Sequence, residues 1–193
     1  MNTPSPQAAA TDSVKKIPTS LPEVFILEPR VFGDERGFFL ESYNERVFSN
    51  LGIPDRFVQD NHSRSTKNVL RGLHYQMKQT QGKLIRVVEG EILDVAVDLR
   101  RSSANFGKWE AVLLSGENKR MLWIPRGFAH GFLVTSPSAH VLYKATDYYA
   151  PEHERTLAWN DPDLNVDWRL DGEPIISAKD RRGVLLRQAD CFE

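Results

Sequence analysis

The chain of 193 residues has one cysteine, Cys191, close to its end. Without a second thiol no internal disulfide framework is possible, and a reducing compartment, the cytoplasm, is expected. No apolar run approaches the roughly 20 residues that cross a bilayer. The opening MNTPSPQAAATDSVKK lacks a basic stretch followed by an apolar one, so it does not read as a secretory signal. Neither sign of charge dominates: 25 Lys and Arg stand against 26 Asp and Glu, for a net charge of −1. That argues against a nucleic-acid binder with a broad basic face, while leaving room for a small anion held by a few local cations. Also missing are a Gly-rich phosphate loop, a G-x-S-x-G elbow and a cysteine placed as nucleophile. The H-x-H spacing of many barrel metal sites is absent, since Tyr75 and Gln76 follow His74. A three-ligand site would need His62, His74 and His130 to converge from separate segments.

What is present suits one soluble domain with a sizeable core: 40% of residues are hydrophobic and 26% charged. Residues 1–20 are rich in Pro, Ser, Thr and Ala and are expected to form a disordered extension, with a single domain over 21–193. From Val24 onward short strand-like runs recur at intervals of roughly ten residues, which suggests a sandwich or barrel. They include VFIL, GFFLESY, RFVQDNHS, VLRGLHYQ, KLIRVVEG, WEAVLLS, RMLWIP, GFLVTS and AHVLYKATDYY. EILDVAVDL alternates most clearly, with Leu93, Val95, Val97 and Leu99 on one face and Asp94, Ala96 and Asp98 on the other. Val88-Glu89-Gly90-Glu91 before it is a hairpin-turn candidate. NERVFSNLG reads as a short helix capped by Asn44 and stopped at Gly52, and a last helix is expected over Ala178–Gln188.

Four features carry chemistry. His74 and Arg71 sit in an otherwise apolar strand; a lone strand histidine is more often a satisfied structural group than a base. Lys83 opens the next strand, where a lysine is usually just solvated. In WIPRGFAHGF, Arg126 and His130 flank a turn and could bind phosphate or be plain loop residues; Gly131 permits close approach. Tyr143 shares a face with Val141 and Ala145, so its hydroxyl needs a partner. Asp180 in SAKD fits a helix cap with Ser177, and could instead orient His74. Tyr148 and Tyr149 read as core or wall.

RGLHYQ, QGKLIRVVEGEILDVAVDLR, IPRGFAHGF, YKATDYYAPEHE and SAKD, in this order, closely resemble the dTDP-4-dehydrorhamnose 3,5-epimerases (RmlC-type) from about Leu21 to Ala189. The resemblance implies a mainly β jelly-roll barrel of cupin type with a few short helices. It implies a homodimer without metal or redox cofactor, and a dTDP-keto-sugar substrate epimerised at C3 and C5. It also implies roles: His74 as base, Asp180 as its carboxylate, Tyr143 as acid on the opposite face of the sugar, and Lys83 beside the C4 carbonyl oxygen. Arg71 and His130 match pocket residues near the sugar and diphosphate, Gln59 and Asn61 nucleotide contacts, and Glu154 and Lys179 further binding positions. Arg36 and Glu41 match residues that one chain lends to its partner's site.

These residue types fit an enolisation. Neutral His suits a base near neutral pH, and a buried carboxylate fixes its tautomer. A Lys ammonium stabilises a developing enolate, and inversion needs a second proton donor across the ring, which Tyr supplies. Arg suits a diphosphate through its forked donors. Arg71 and His74 have opposite parity in a regular strand, so an irregularity near Gly72 is predicted if both line one pocket. The alternatives are a single-centre epimerase or 3,4-ketoisomerase on the same scaffold, a non-catalytic sugar-nucleotide-binding cupin, and a metal-dependent cupin oxygenase.

Overall fold

The computed structural model describes residues 13–193, and its architecture is a jelly roll of two antiparallel sheets. The strands are β1 (Val14–Pro18), β2 (Phe25–Pro29), β3 (Val31–Asp34), β4 (Gly37–Leu40), β5 (Gln59–Thr66), β6 (Leu70–Gln76) and β7 (Lys83–Glu89). They continue as β8 (Glu91–Asp98), β9 (Trp109–Ser115), β10 (Met121–Ile124), β11 (Phe128–Val134), β12 (Ser138–Ala145) and β13 (Glu154–Thr156). One sheet has the order β1-β2-β10-β7-β12-β5, the other β13-β6-β11-β8-β9, and β3 pairs only with β4.

Three apolar layers follow from the alternation along these strands. Between the sheets, Ile85, Leu122, Ile124 and Val141 meet Ile92, Phe128, Phe132 and Val134. The outer face of the five-stranded sheet carries Leu93, Val95, Val97 and Leu99, covered by Leu157, Leu164, Trp168 and Leu186 of the C-terminal segment. So the Leu93 face of EILDVAVDL is not opposed by a solvated one: its other face, with Asp94 and Asp98, points into the barrel and is fully buried. On the outer face of the six-stranded sheet, Phe25, Leu27, Met121 and Trp123 are covered by α1 (Glu45–Asn50). Asn44 caps α1 by accepting from the amides of Arg46 and Val47, and Val47 and Phe48 form its buried face. Gly52 follows with φ +100°, a conformation that ends a helix at little cost only for glycine.

Three sequence expectations are corrected. Residues 14–18, placed in the disordered extension, form β1 and pair in full register with β2; apolar Val14 is buried there. The rest of that expectation, residues 1–12, lies outside the described residues. The hairpin at Gly90 is a crossing instead: β7 belongs to one sheet and β8 to the other. Gly90 has φ +78°, and a Cβ there would lie 1.9 Å from the Ser138 carbonyl oxygen. Residues 178–188 hold two 3-10 turns, Asp180–Arg182 and Leu186–Gln188, rather than one helix. Between them Val184 is extended and bridges to Leu157, which forbids a continuous helix.

Candidate active site

The barrel is open at one end to a cavity of about 580 Å³. Each sheet sends a row of side chains into it. On β5, alternation turns Gln59, Asn61 and Ser63 inward, beside Tyr143 of β12 and Lys83 of β7. From the facing sheet come Arg71 and His74 of β6 and His130 of β11, with His74 and His130 directly opposite in register. Lys179 and Asp180 of the C-terminal segment and Glu154 of β13 close the rim.

Arg71 and His74 share the pocket because the strand is irregular where it was expected to be. His130 pairs with His74 but Phe132 pairs with Arg71, so two residues of β6 oppose one of β11. Gly72 takes φ +117°, and a Cβ on it would lie 2.6 Å from Gly131 Cα and 2.7 Å from the His130 oxygen. Both glycines are therefore required for the two strands to touch.

His74 Nε2 lies 2.6 Å from Asp180 Oδ1. Asp180, 3% exposed, is held by its amide donating to Ser177 Oγ at 3.1 Å. Ser177 therefore accepts from the Asp180 amide without capping a helix, since Lys179 stands at the N-cap of the short turn and makes no side-chain cap bond, while the Asp180 carboxylate meets the His74 ring. Burial pushes the His74 pKa below the ordinary imidazole value, and the hydrogen bond the ring donates to the Asp180 carboxylate only partly opposes this. Burial also raises Asp180, but the bond and the charge of His74 outweigh this and leave it lowered. A second carboxylate–imidazole pair stands beside the first: His130 Nε2 is 2.9 and 3.1 Å from the Asp94 carboxylate oxygens. Asp94 is fully buried, and that burial raises its pKa against the pull of His130 and Lys83.

Lys83 is pushed down to about 8 by burial, with the charges of Glu154 and Asp94 opposing the shift. Burial raises Tyr143, and the charge of Glu154 adds to the rise. Among the described residues neither the Lys83 ammonium nor the Tyr143 hydroxyl has a hydrogen-bond partner, and the buried Asn61 Nδ2 is likewise unpaired. Other groups are held in place. Arg71 Nε donates to Ser65 Oγ at 3.0 Å, and Gln59 donates to Asn61 Oδ1 at 3.0 Å. The Glu154 carboxylate accepts from Lys179 Nζ at 2.8 Å and from the Tyr149 hydroxyl at 3.0 Å.

Of the twelve residues given roles by the resemblance, ten line this cavity and two do not. Arg36 stands on the exposed β3–β4 hairpin, paired with Asp34, and Glu41 accepts from Asn44 just beyond it. Arg126 pairs with Asp55 and does not reach the cavity. Of the two tyrosines read as core or wall, both are more than half exposed, and Tyr149 is a wall of the pocket while Tyr148 is not. The sequence reading missed Asp94 and Ser65. For Asp94 a signal existed: a carboxylate sharing a strand face with Ile92 and Ala96 must be buried and therefore paired. Among the described residues no group of three or more His, Cys, Asp or Glu could hold a metal ion. His62 is not near His74 and His130: it points from the opposite face of its sheet, against His140.

A jelly roll that confronts a carboxylate-backed imidazole with a tyrosine and a half-buried lysine defines a cupin-like barrel with a proton-transfer site. The family model for dTDP-4-dehydrorhamnose 3,5-epimerase matches residues 18–188. A dTDP-4-dehydrorhamnose 3,5-epimerase of Pseudomonas aeruginosa is 60% identical over 174 residues, covering 90% of this chain and 96% of that protein. The crystal structure of a dTDP-6-deoxy-D-glucose-3,5-epimerase from Legionella pneumophila, in complex with dTDP-4-keto-L-rhamnose, is 54% identical with a TM-score of 0.90. That match covers 92% of this chain and 95% of the Legionella one. A 3′-monoepimerase from Streptomyces bikiniensis, in complex with dTDP-quinovose, is similar at 31% identity and a TM-score of 0.83, over 89% and 87% of the two chains. The chain belongs to the dTDP-4-dehydrorhamnose 3,5-epimerase family, and is an isomerase of that series.

Proposed function

We propose that this chain converts dTDP-4-dehydro-6-deoxy-D-glucose to dTDP-4-dehydro-L-rhamnose by inverting C3 and C5 in turn. The observation that carries the reading is the placement of His74 and Tyr143 on opposite sheets across one cavity, with Lys83 alongside. Neutral His74 removes the proton α to the C4 ketone, and Asp180 holds the ring and stabilises the imidazolium that forms. The electron pair moves onto the C4 oxygen, where the Lys83 ammonium stabilises the enolate. Tyr143 returns a proton from the other face, which inverts the carbon. C3 and C5 both flank C4, so the same groups serve both centres once the ring turns.

Arg71, His130 and the Glu154–Lys179 pair position the sugar and diphosphate, while Gln59 and Asn61 contact the nucleotide. A homodimer completes each site: the hairpin bearing Arg36 exposes Phe32, Phe38 and Phe39 at 51, 57 and 71%, an apolar surface suited to a second copy of the chain. The reading needs no metal or redox cofactor. No described helix is long and apolar enough to cross a membrane, and the lone cysteine suits a cytoplasmic enzyme.

The test is deuterium incorporation from D₂O into dTDP-4-keto-6-deoxy-D-glucose, followed by NMR. Exchange at C3 and C5, abolished in His74→Ala, is expected. Tyr143→Phe is expected to keep some exchange while product formation falls about 10²–10⁴-fold, the usual worth of a general acid. Exchange at C3 alone would reassign the chain as a single-centre enzyme. No exchange with nucleotide bound would leave a binding protein.

A further inference from the structure

The chain has five histidines, and two of them meet outside the pocket. His62 on β5 and His140 on β12 lie on the outer face of the six-stranded sheet, because their neighbours Asn61 and Val141 point inward. In the register His62 faces Leu142 and His140 faces Arg64, so the two imidazoles are diagonal neighbours. His62 Nε2 and His140 Nδ1 are 3.1 Å apart, with the rings tilted by 49°. One ring donates an N–H and the other accepts it, which two neutral imidazoles can do.

We propose that His62 and His140 form a chelating site for a first-row transition-metal dication, Cu²⁺ foremost. Two metal–nitrogen bonds of about 2.1 Å meeting at about 95° span about 3.1 Å. The two ring nitrogens already stand at that separation, on strands tied to each other along their whole length. For both lone pairs to face the ion, each neutral ring need only carry its proton on its other nitrogen, Nδ1 of His62 and Nε2 of His140. Binding then replaces the shared N–H without releasing a proton.

The neighbouring charges select the ion. Asp60 and Lys144 neutralise one another at 3.0 Å. Arg64 on β5 and Glu89 on β7 both pair with His140, and Arg86 pairs with Leu142. Two guanidinium groups against one carboxylate disfavour hard ions, which also want oxygen ligands. They leave ions with high intrinsic affinity for imidazole, of which Cu²⁺ stands highest in the divalent series. No third protein ligand joins the pair among the described residues, so water completes the coordination and the site is labile rather than structural.

The experiment titrates the full-length, assembled protein with CuCl₂ in a non-coordinating buffer at neutral pH, read by native mass spectrometry and electron paramagnetic resonance. One Cu²⁺ per chain with splitting from two nitrogens is expected. His62→Gln and His140→Gln should each weaken binding at least tenfold, with epimerase turnover in the absence of copper unchanged. His62 is exposed and His140 half-buried on the outer sheet face, so circular dichroism confirms that each variant is folded before titration. Copper binding unchanged in these variants, lost instead in His74→Gln, or not detectable at tenfold excess would overturn the proposal.

Discussion

A neutral imidazole and a charged ammonium are required together in the proposed reaction, and their environments set the pH range over which both exist. Activity rises with pH as His74 loses its proton, at a pKa below the ordinary value of about 6.5. It falls as Lys83 loses its charge, near about 8. Tyr143, raised above an ordinary phenol, stays protonated through that window. The profile of kcat/KM against pH is therefore expected to be bell-shaped, with the alkaline limb set by Lys83. Lys83→Arg keeps the charge at all accessible pH and should remove that limb while lowering the rate. An alkaline limb unmoved in Lys83→Arg would assign it to another group.

At this scale the sequence was legible where motif context was dense. The blocks around His74, Lys83, Tyr143 and Asp180 led to side chains that share one cavity. Asp94 escaped because the alternation reads as an apolar face against a polar one when Ile92 and Ala96 on the polar side are not weighed. What buries that face is the opposite sheet, far away in sequence. Ser65 escaped for a similar reason: its contact with Arg71 crosses from β5 to β6, and no local pattern marks a hydroxyl as a guanidinium's support.

Among the elements, β6 shows how a strand can present two side chains that regular alternation would separate. The parity conflict between Arg71 and His74 was readable from the sequence, and Gly72 was the only residue between them able to take a positive φ freely. Gly72→Ala combines that φ with the close approach of Gly131, so a loss of about 1–3 kcal/mol in folding stability is expected. Chemical denaturation would measure it, and turnover should fall as well, because His74 and Arg71 shift relative to each other. A variant of wild-type stability and activity would show that the bulge is not needed. The element reading failed where sheet membership decides the outcome. A glycine between two strands signals a reversal in either case, and only the long-range pairing of β7 with β10 and β12 shows that the chain changes sheet at Gly90. The last segment failed for a related reason, since Val184 is held extended by Leu157.

For the whole molecule, the proposal that Arg36 serves the partner's site gives a test by complementation. Arg36→Ala leaves its own pocket intact but deprives the partner; His74→Ala does the reverse. Each protein alone should be nearly inactive. After mixed refolding at equal amounts, half of the dimers are mixed and each holds one complete site, so about a quarter of full activity should return. No recovery, with mixed dimers demonstrated by mass spectrometry, would place Arg36 in the site of its own chain, and an Arg36→Ala protein that is active alone would place it outside the site.

The pairing of His74 with Asp180 spans 106 residues of chain. At about 5–20 residues added per second, a ribosome needs about 5–20 s to travel from the base to its carboxylate. For that interval a growing chain holds the imidazole without its partner. The strands that flank it arrive only gradually, because β11 and β13, the two neighbours of β6, both come long after it. Competence as a catalyst is therefore acquired late and nearly at once, when the C-terminal segment seats Asp180, and a chain cut short by a few dozen residues keeps most of the barrel's strands and its histidine but not the carboxylate.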